Sequence, residues 1–109
     1  MKKLKIEPGV CGFTAIVEAG FDEEEGTVKL KVASGCKSVQ KMLEDLGDLG
    51  DTFDGYALCL KKPGEGPLYD YARAHFPGHA ACPVVAGILK CAEAESGLAL
   101  PRDASFTFL

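Results

Sequence analysis

The sequence predicts a two-layer α+β domain: a mostly antiparallel sheet with helices on one face, in the order β-β-α-β-α-α-β. Three observations carry this expectation. Residues 27–33, TVKLKVA, alternate strictly, with Val28, Leu30 and Val32 on one side and Thr27, Lys29 and Lys31 on the other. That is a strand with one wet face, as expected of a sheet covered on one side only. Residues 12–19, GFTAIVEA, form a second apolar run just upstream, separated by the acidic stretch FDEEEG, so the two close into a hairpin. Helical periodicity then follows, with Val39, Met42, Leu43 and Leu46 at i, i+3, i+4 and i+7. Strands followed by helices mix into an α+β packing.

The remaining elements follow from local chemistry. Gly47 can stop the first helix. A third strand is expected over Tyr56–Lys61, with Tyr56, Leu58 and Leu60 on one side. KPGEG is a turn, and Pro67 opens a short helix over PLYDYARAHF. The last helix is expected from about Pro83 to Ser96, with Gly97 as its stop. ASFTFL reads as a closing strand whose Phe106 and Phe108 enter the core. No linker, repeat or low-complexity tract divides the 109 residues, so residues 1–109 form one domain.

Composition narrows the function classes. The hydrophobic share is 47%, the charged share 26% and the net charge −4. Nucleic-acid binding needs a basic face to neutralise phosphates, and the lysines here are scattered or lie beside acids, so no nucleic acid is expected. No apolar run reaches the roughly 20 residues of a membrane span. MKKLKIEPGVCGF has basic residues but no apolar stretch of signal-peptide length, which places the expectation in the cytoplasm. A protein partner or a homo-oligomer stays open. No Ser-His-Asp order, phosphate-binding loop or dinucleotide fingerprint stands out, so no enzyme reaction is assigned.

Five cysteines are the chemical feature of the chain. Their odd number and a reducing compartment argue against a disulfide framework. Cys91 lies inside the last helix, nine residues after Cys82. Nine steps of about 100° turn it to the opposite side, roughly 13 Å along the axis, so the two cannot share one ion. Cys91 and Cys59 read as packing residues. Cys11, Cys36 and Cys82 share another setting. Cys11 sits in the bend PGVCGF, and Cys36 and Cys82 each precede a helix. Free N–H groups and the dipole at a helix start favour a thiolate, the form that binds metal or attacks.

Three thiolates and a histidine make a zinc set, and three thiolates with a fourth ligand can hold an iron–sulfur cluster. The candidate site is therefore Cys11, Cys36 and Cys82 with His79 as the fourth ligand, for an iron–sulfur cluster or zinc. No CxxC pair is present, so this is not the paired-knuckle pattern of a zinc finger. The alternatives are a thiol or persulfide carrier using Cys82 alone, and a metal-free interaction domain with buried cysteines. For the carrier, Cys82-Pro83-Val84-Val85 resembles the Cys-Pro-x-Pro helix opening of sulfur carriers related to the tRNA-thiolation sulfurtransferases, with the second proline missing.

Through PGVCGFTAIVEA, SGCKSVQKM, HAACPVVAGILK and GLALPRDASF, the whole chain resembles a family of small uncharacterised proteins of anaerobic bacteria and archaea. The resemblance implies that Cys11, Cys36 and Cys82 are the family's characteristic cysteines and that Cys59 and Cys91 are peripheral. It also implies that Val85 stands where a proline is common. It brings no established activity.

Overall fold

The computed structural model describes residues 1–47 and 52–109. The sheet has four strands in the order β1-β2-β3-β4, each antiparallel to its neighbour: β1 (Lys2–Ile6), β2 (Ala15–Asp22), β3 (Thr27–Ser34) and β4 (Thr52–Asp54). Four helices complete the described residues: α1 (Lys37–Gly47), α2 (Gly55–Cys59), α3 (Pro67–His75) and α4 (Val84–Glu95). The class is the α+β arrangement the sequence predicts, but the order is β-β-β-α-β-α-α-α.

The hairpin forms as expected, with β2 starting three residues later than the sequence suggests. Asp22 stabilises the turn: its Oδ1 accepts the N–H groups of Glu24 at 3.0 Å and Glu25 at 3.3 Å. This is an Asx turn, and it leaves the carboxylates of Glu23, Glu24 and Glu25 in solvent. The register places Leu4, Val17 and Val32 in one row, and Ile6, Ala15 and Ser34 in the next. Those rows lie on the covered face. On the open face the row is Lys3, Glu18 and Lys31, and Lys3 pairs with Glu18 at 3.4 Å.

Helix α4 lies against β1 and β2 and runs antiparallel to β1. Three points fix this. An added Cβ at Gly87 would lie 2.5 Å from Cδ1 of Ile6. Cys91 Sγ lies 3.6 Å from the carbonyl of Lys2. The Glu95 carboxylate accepts the N–H of Lys2 and lies 3.4 Å from the amino group of Met1. Val84, Val85, Ile88, Cys91 and Ala92 are buried along this seam. The helix ends in a Schellman motif: the N–H of Leu98 reaches the carbonyl of Glu93 at 2.9 Å, and that of Gly97 reaches Ala94 at 3.3 Å. Gly97 has φ +76°, which a glycine adopts without Cβ strain.

Helix α1 covers β3 with Val39, Met42 and Leu46 of the stripe read from the sequence, and Leu43, its fourth member, is half-buried. Its other neighbour is α3, and the two are tied by the Tyr71 hydroxyl donating to Asp45. That bond, with the Lys41 ammonium beside it, holds the Asp45 carboxyl below the usual carboxylate range. The same bond pushes the Tyr71 phenol up to about 12. A lowered carboxylate pKa stabilises the fold above the unfolded value near 4 and stops doing so as the pH falls through the folded value. A raised phenol pKa stabilises it below about 10, and that contribution is lost as the pH rises towards 12. The stability gap between the native protein and Tyr71→Phe is therefore expected to narrow below about pH 4 and again above about pH 10. Thermal melts across pH check this, and a constant gap would refute it.

Two sequence expectations are corrected. Residues 56–61 are not a strand. Only Thr52–Asp54 pairs with β3, and Gly55–Cys59 turns into α2. The cause is Asp54, whose Oδ1 accepts the N–H of Ala57 at 2.9 Å and caps the helix. Tyr56 and Leu60 consequently face solvent while Leu58 is buried. The closing strand does not form either: residues 98–109 follow α4 without regular structure, and Phe106 and Phe108 are exposed instead of entering the core. Strand β1 was not read from the sequence, although Leu4 and Ile6 alternate with lysines there. Of the acids expected on a solvated face, Asp48 and Asp51 lie outside the described residues.

Candidate functional site

The sheet has one end where β1 finishes at Ile6, β2 begins at Ala15 and β3 finishes at Ser34. All four sequence-predicted site residues belong to segments at this end. Cys11 lies in the connection from β1 to β2. The turn there is closed by the N–H of Gly12 on the carbonyl of Gly9 at 3.0 Å, with φ +95° at Gly9 and +70° at Gly12. Two left-handed glycines fold the segment tightly and leave the Cys11 thiol exposed.

Cys36 lies two residues after β3. Its N–H donates to Ser34 Oγ at 3.1 Å, and its carbonyl accepts the N–H of Gln40 at 3.1 Å, so it stands at the head of α1. Its side chain is half-buried against the core. Phe13 joins this turn to the Cys11 segment, because a Cβ on Gly35 would lie 3.0 Å from Phe13 Cδ1.

Cys82 precedes α4. Gly87 packs on Ile6, and Cys82 is five residues further towards the helix start, about 7 Å of rise at helical spacing. The Cys82 segment therefore overhangs the sheet end. The Cys82 N–H donates to the carbonyl of His79 at 3.2 Å, and the His79 N–H donates to Pro77 at 2.7 Å. This turn sets His79 beside Cys82 in the chain. His79 is exposed, and Cys82 is half-buried against the core.

The fold thus brings Cys11, Cys36, Cys82 and His79 to one end of the sheet. It does not close them into a cage: among the described residues, no three His, Cys, Asp or Glu side chains gather so as to hold a metal ion.

The other two cysteines have different surroundings. Cys91 is buried beneath α4, where burial, with Glu95 nearby, pushes its thiol up. Cys59 is half-buried on α2 beside α4, and burial together with Glu93 raises its thiol to about 11. At pH 8 only about one Cys59 thiol in a thousand is the reactive thiolate. Alkylation with iodoacetamide at pH 8 is therefore expected to label Cys11 first, Cys36 and Cys82 more slowly, and Cys59 and Cys91 last. Peptide mass mapping over time reads this order, and early labelling of Cys59 would contradict it.

Sequence reasoning missed the Asp45–Tyr71 pair, a half-buried hydrogen bond that ties α1 to α3. No local signal marks it, because the partners are 26 residues apart and on different helices.

Fold and site together define a small two-layer α+β domain that carries three cysteine-bearing segments at one sheet end. The chain belongs to a family of unknown function, DUF6951, whose model matches residues 2–108. No curated protein and no solved structure matches it. Among the described residues, no helix is long and apolar enough to cross a membrane.

Proposed function

We propose that this domain binds a thiophilic metal centre, an iron–sulfur cluster or a zinc ion, at the sheet end, through Cys11, Cys36 and Cys82 with His79 as fourth ligand. The observation that supports the reading is the common origin of the three thiol segments at that end. Three thiolates with one imidazole suit zinc or a cluster rather than a harder, oxygen-seeking ion. Loading draws the glycine-flanked Cys11 turn towards the two helix starts. The resemblance to proteins of anaerobes fits thiols kept reduced in a cytoplasmic compartment, with no nucleic acid or membrane as partner. Cys59 and Cys91 stay outside the site as protonated packing residues.

The test is anaerobic purification followed by metal and sulfide analysis and an absorption spectrum. The native protein and Cys91→Ala are expected to carry equal metal, and Cys82→Ser to carry none while keeping its circular dichroism. Metal-free native protein, or full metal in Cys82→Ser, would overturn the proposal. Metal-free protein with one added sulfur on Cys82 by mass spectrometry would instead favour the persulfide carrier.

A further inference from the structure

Residues 98–109 leave α4 at the sheet end opposite the cysteines, where Glu95 meets Met1. They carry Leu100, Phe106 and Phe108 at 75%, 92% and 102% exposure. Scattered single apolar residues on a surface are ordinary, but several in one short unstructured segment mark an interaction site. Phe106-Thr107-Phe108 has the alternation and the residue types of a strand. The family match runs to residue 108, so this segment lies inside the family's shared domain. It is a strand by composition, and it pairs with none of the described strands.

Among the described residues the sheet meanwhile ends in two edge strands with no further strand beside them, β1 and β4. Strand β4 offers three residues and carries Asp54, whereas β1 offers five and carries Lys2, Lys3 and Lys5. Lysines on an edge discourage two identical edges from pairing. They do not discourage a lysine-free segment. Residues 98–109 contain no lysine, carry one Arg102/Asp103 pair of opposite charges, and are uncharged from Ala104 through the alternating stretch. Glu95 already takes the N–H of Lys2, so the open part of the β1 edge is Lys3–Ile6.

We propose that residues 104–108 of one copy add as a fifth strand to the Lys3–Ile6 edge of a second copy, and that the exchange is reciprocal. Main-chain pairing supplies the geometry, as in other strand additions. Phe106 and Phe108 then point to one side of the extended sheet and leave water. Each phenylalanine buries about 150–250 Å². The four of a reciprocal pair supply about half of the roughly 1,200–2,000 Å² of a specific interface, and the two added strands supply the rest.

Sedimentation of the full chain tests this. The native protein is expected to run as a dimer, with the amides of residues 104–108 protected from hydrogen exchange. Phe106→Asp/Phe108→Asp is expected to run as a monomer with those amides unprotected and with unchanged circular dichroism, since both rings are in solvent in the single chain. In a mixture of isotope-labelled and unlabelled native protein, a zero-length carbodiimide cross-link is expected between Asp103 of one and Lys3 or Lys5 of the other. A native protein that stays monomeric up to its solubility limit overturns the proposal. So does a dimer that survives the double substitution, or one whose residues 104–108 exchange freely. Cys82→Ser is expected to leave the dimer intact, which separates this result from the metal proposal.

Discussion

Ile88→Ala is expected to lower unfolding free energy by about 2–5 kcal/mol. Ile88 lies at the middle of α4 and is fully buried between the helix and the sheet. Its removal costs the transfer of several methylene groups and leaves a cavity the surrounding side chains fill only in part. A domain of this kind holds roughly 5–15 kcal/mol in all, so the variant stands near the margin of folding. The midpoint temperature should fall by roughly 10–20 °C. Urea unfolding of the native protein and the variant, with the slope compared as well as the midpoint, measures the effect. Cys91→Ala, one turn further along the same seam, should lose clearly less, because it removes only one sulfur. An Ile88→Ala loss below about 1 kcal/mol would mean that α4 is not seated on β1 and β2 as described.

The second large effect concerns Gly87. A glycine inside a helix is ordinarily worth replacing, since alanine gains about 1 kcal/mol of helix propensity. Here the new Cβ would lie 2.5 Å from Cδ1 and 2.7 Å from Cγ1 of Ile6. Both distances are far inside van der Waals contact, and Ile6 is itself buried at 7% exposure, so its side chain has little room to turn away. Overpacking of this sort costs about 1–3 kcal/mol and outweighs the gain in propensity. Gly87→Ala is therefore expected to destabilise the protein although it improves the helix. The decisive measurement is the double-mutant cycle with Ile6→Ala. Ile6→Ala alone removes a buried side chain and should cost about 2–5 kcal/mol. In the double variant the alanine methyl fills part of the space left by Ile6, so the combined loss should fall short of the sum by about 0.5–3 kcal/mol. Additive losses would show that the close approach of α4 to β1 is not the reason for glycine at this position.

The two seams differ in how far they could be read from the chain. The α1 stripe was legible, because Val39, Met42, Leu43 and Leu46 repeat at the helical period, and three of them are buried while Leu43 packs half-buried against the core. The α2 segment was not. Tyr56, Leu58 and Leu60 alternate like a strand, and only the capping bond from Asp54 to the Ala57 N–H decides for a helix. Capping can outweigh a short apolar pattern when that pattern holds three residues and two of them end in solvent. Strand β1 was hidden among lysines, whose charges mask an alternation of Leu4 and Ile6 that is otherwise plain. The residues 104–109 failed in the opposite sense: their pattern is that of a strand, but a strand forms only when paired, and this segment joins neither described edge of the sheet.

The candidate site divides in the same way. Grouping Cys11, Cys36 and Cys82 apart from Cys59 and Cys91 followed from glycine bends and helix starts. In the structure Cys11 is exposed and Cys91 buried, while Cys36, Cys59 and Cys82 are alike half-buried, so burial by itself does not draw that division. The distance between the three thiols was not in the chain, because 25 and 46 residues separate them and each belongs to a different element.

The sequence by itself determined the class of fold, the β2–β3 hairpin, the apolar face of α1, the extent of α4, and which cysteines stand at helix starts, since each of these rests on interactions within a few residues. Tertiary structure alone decided that α4 runs antiparallel to β1, that Gly87 meets Ile6, and that the three cysteine segments share one sheet end. Those relations depend on which elements bury their apolar faces together. Burial is a sum over the whole molecule, and no short stretch of sequence contains it.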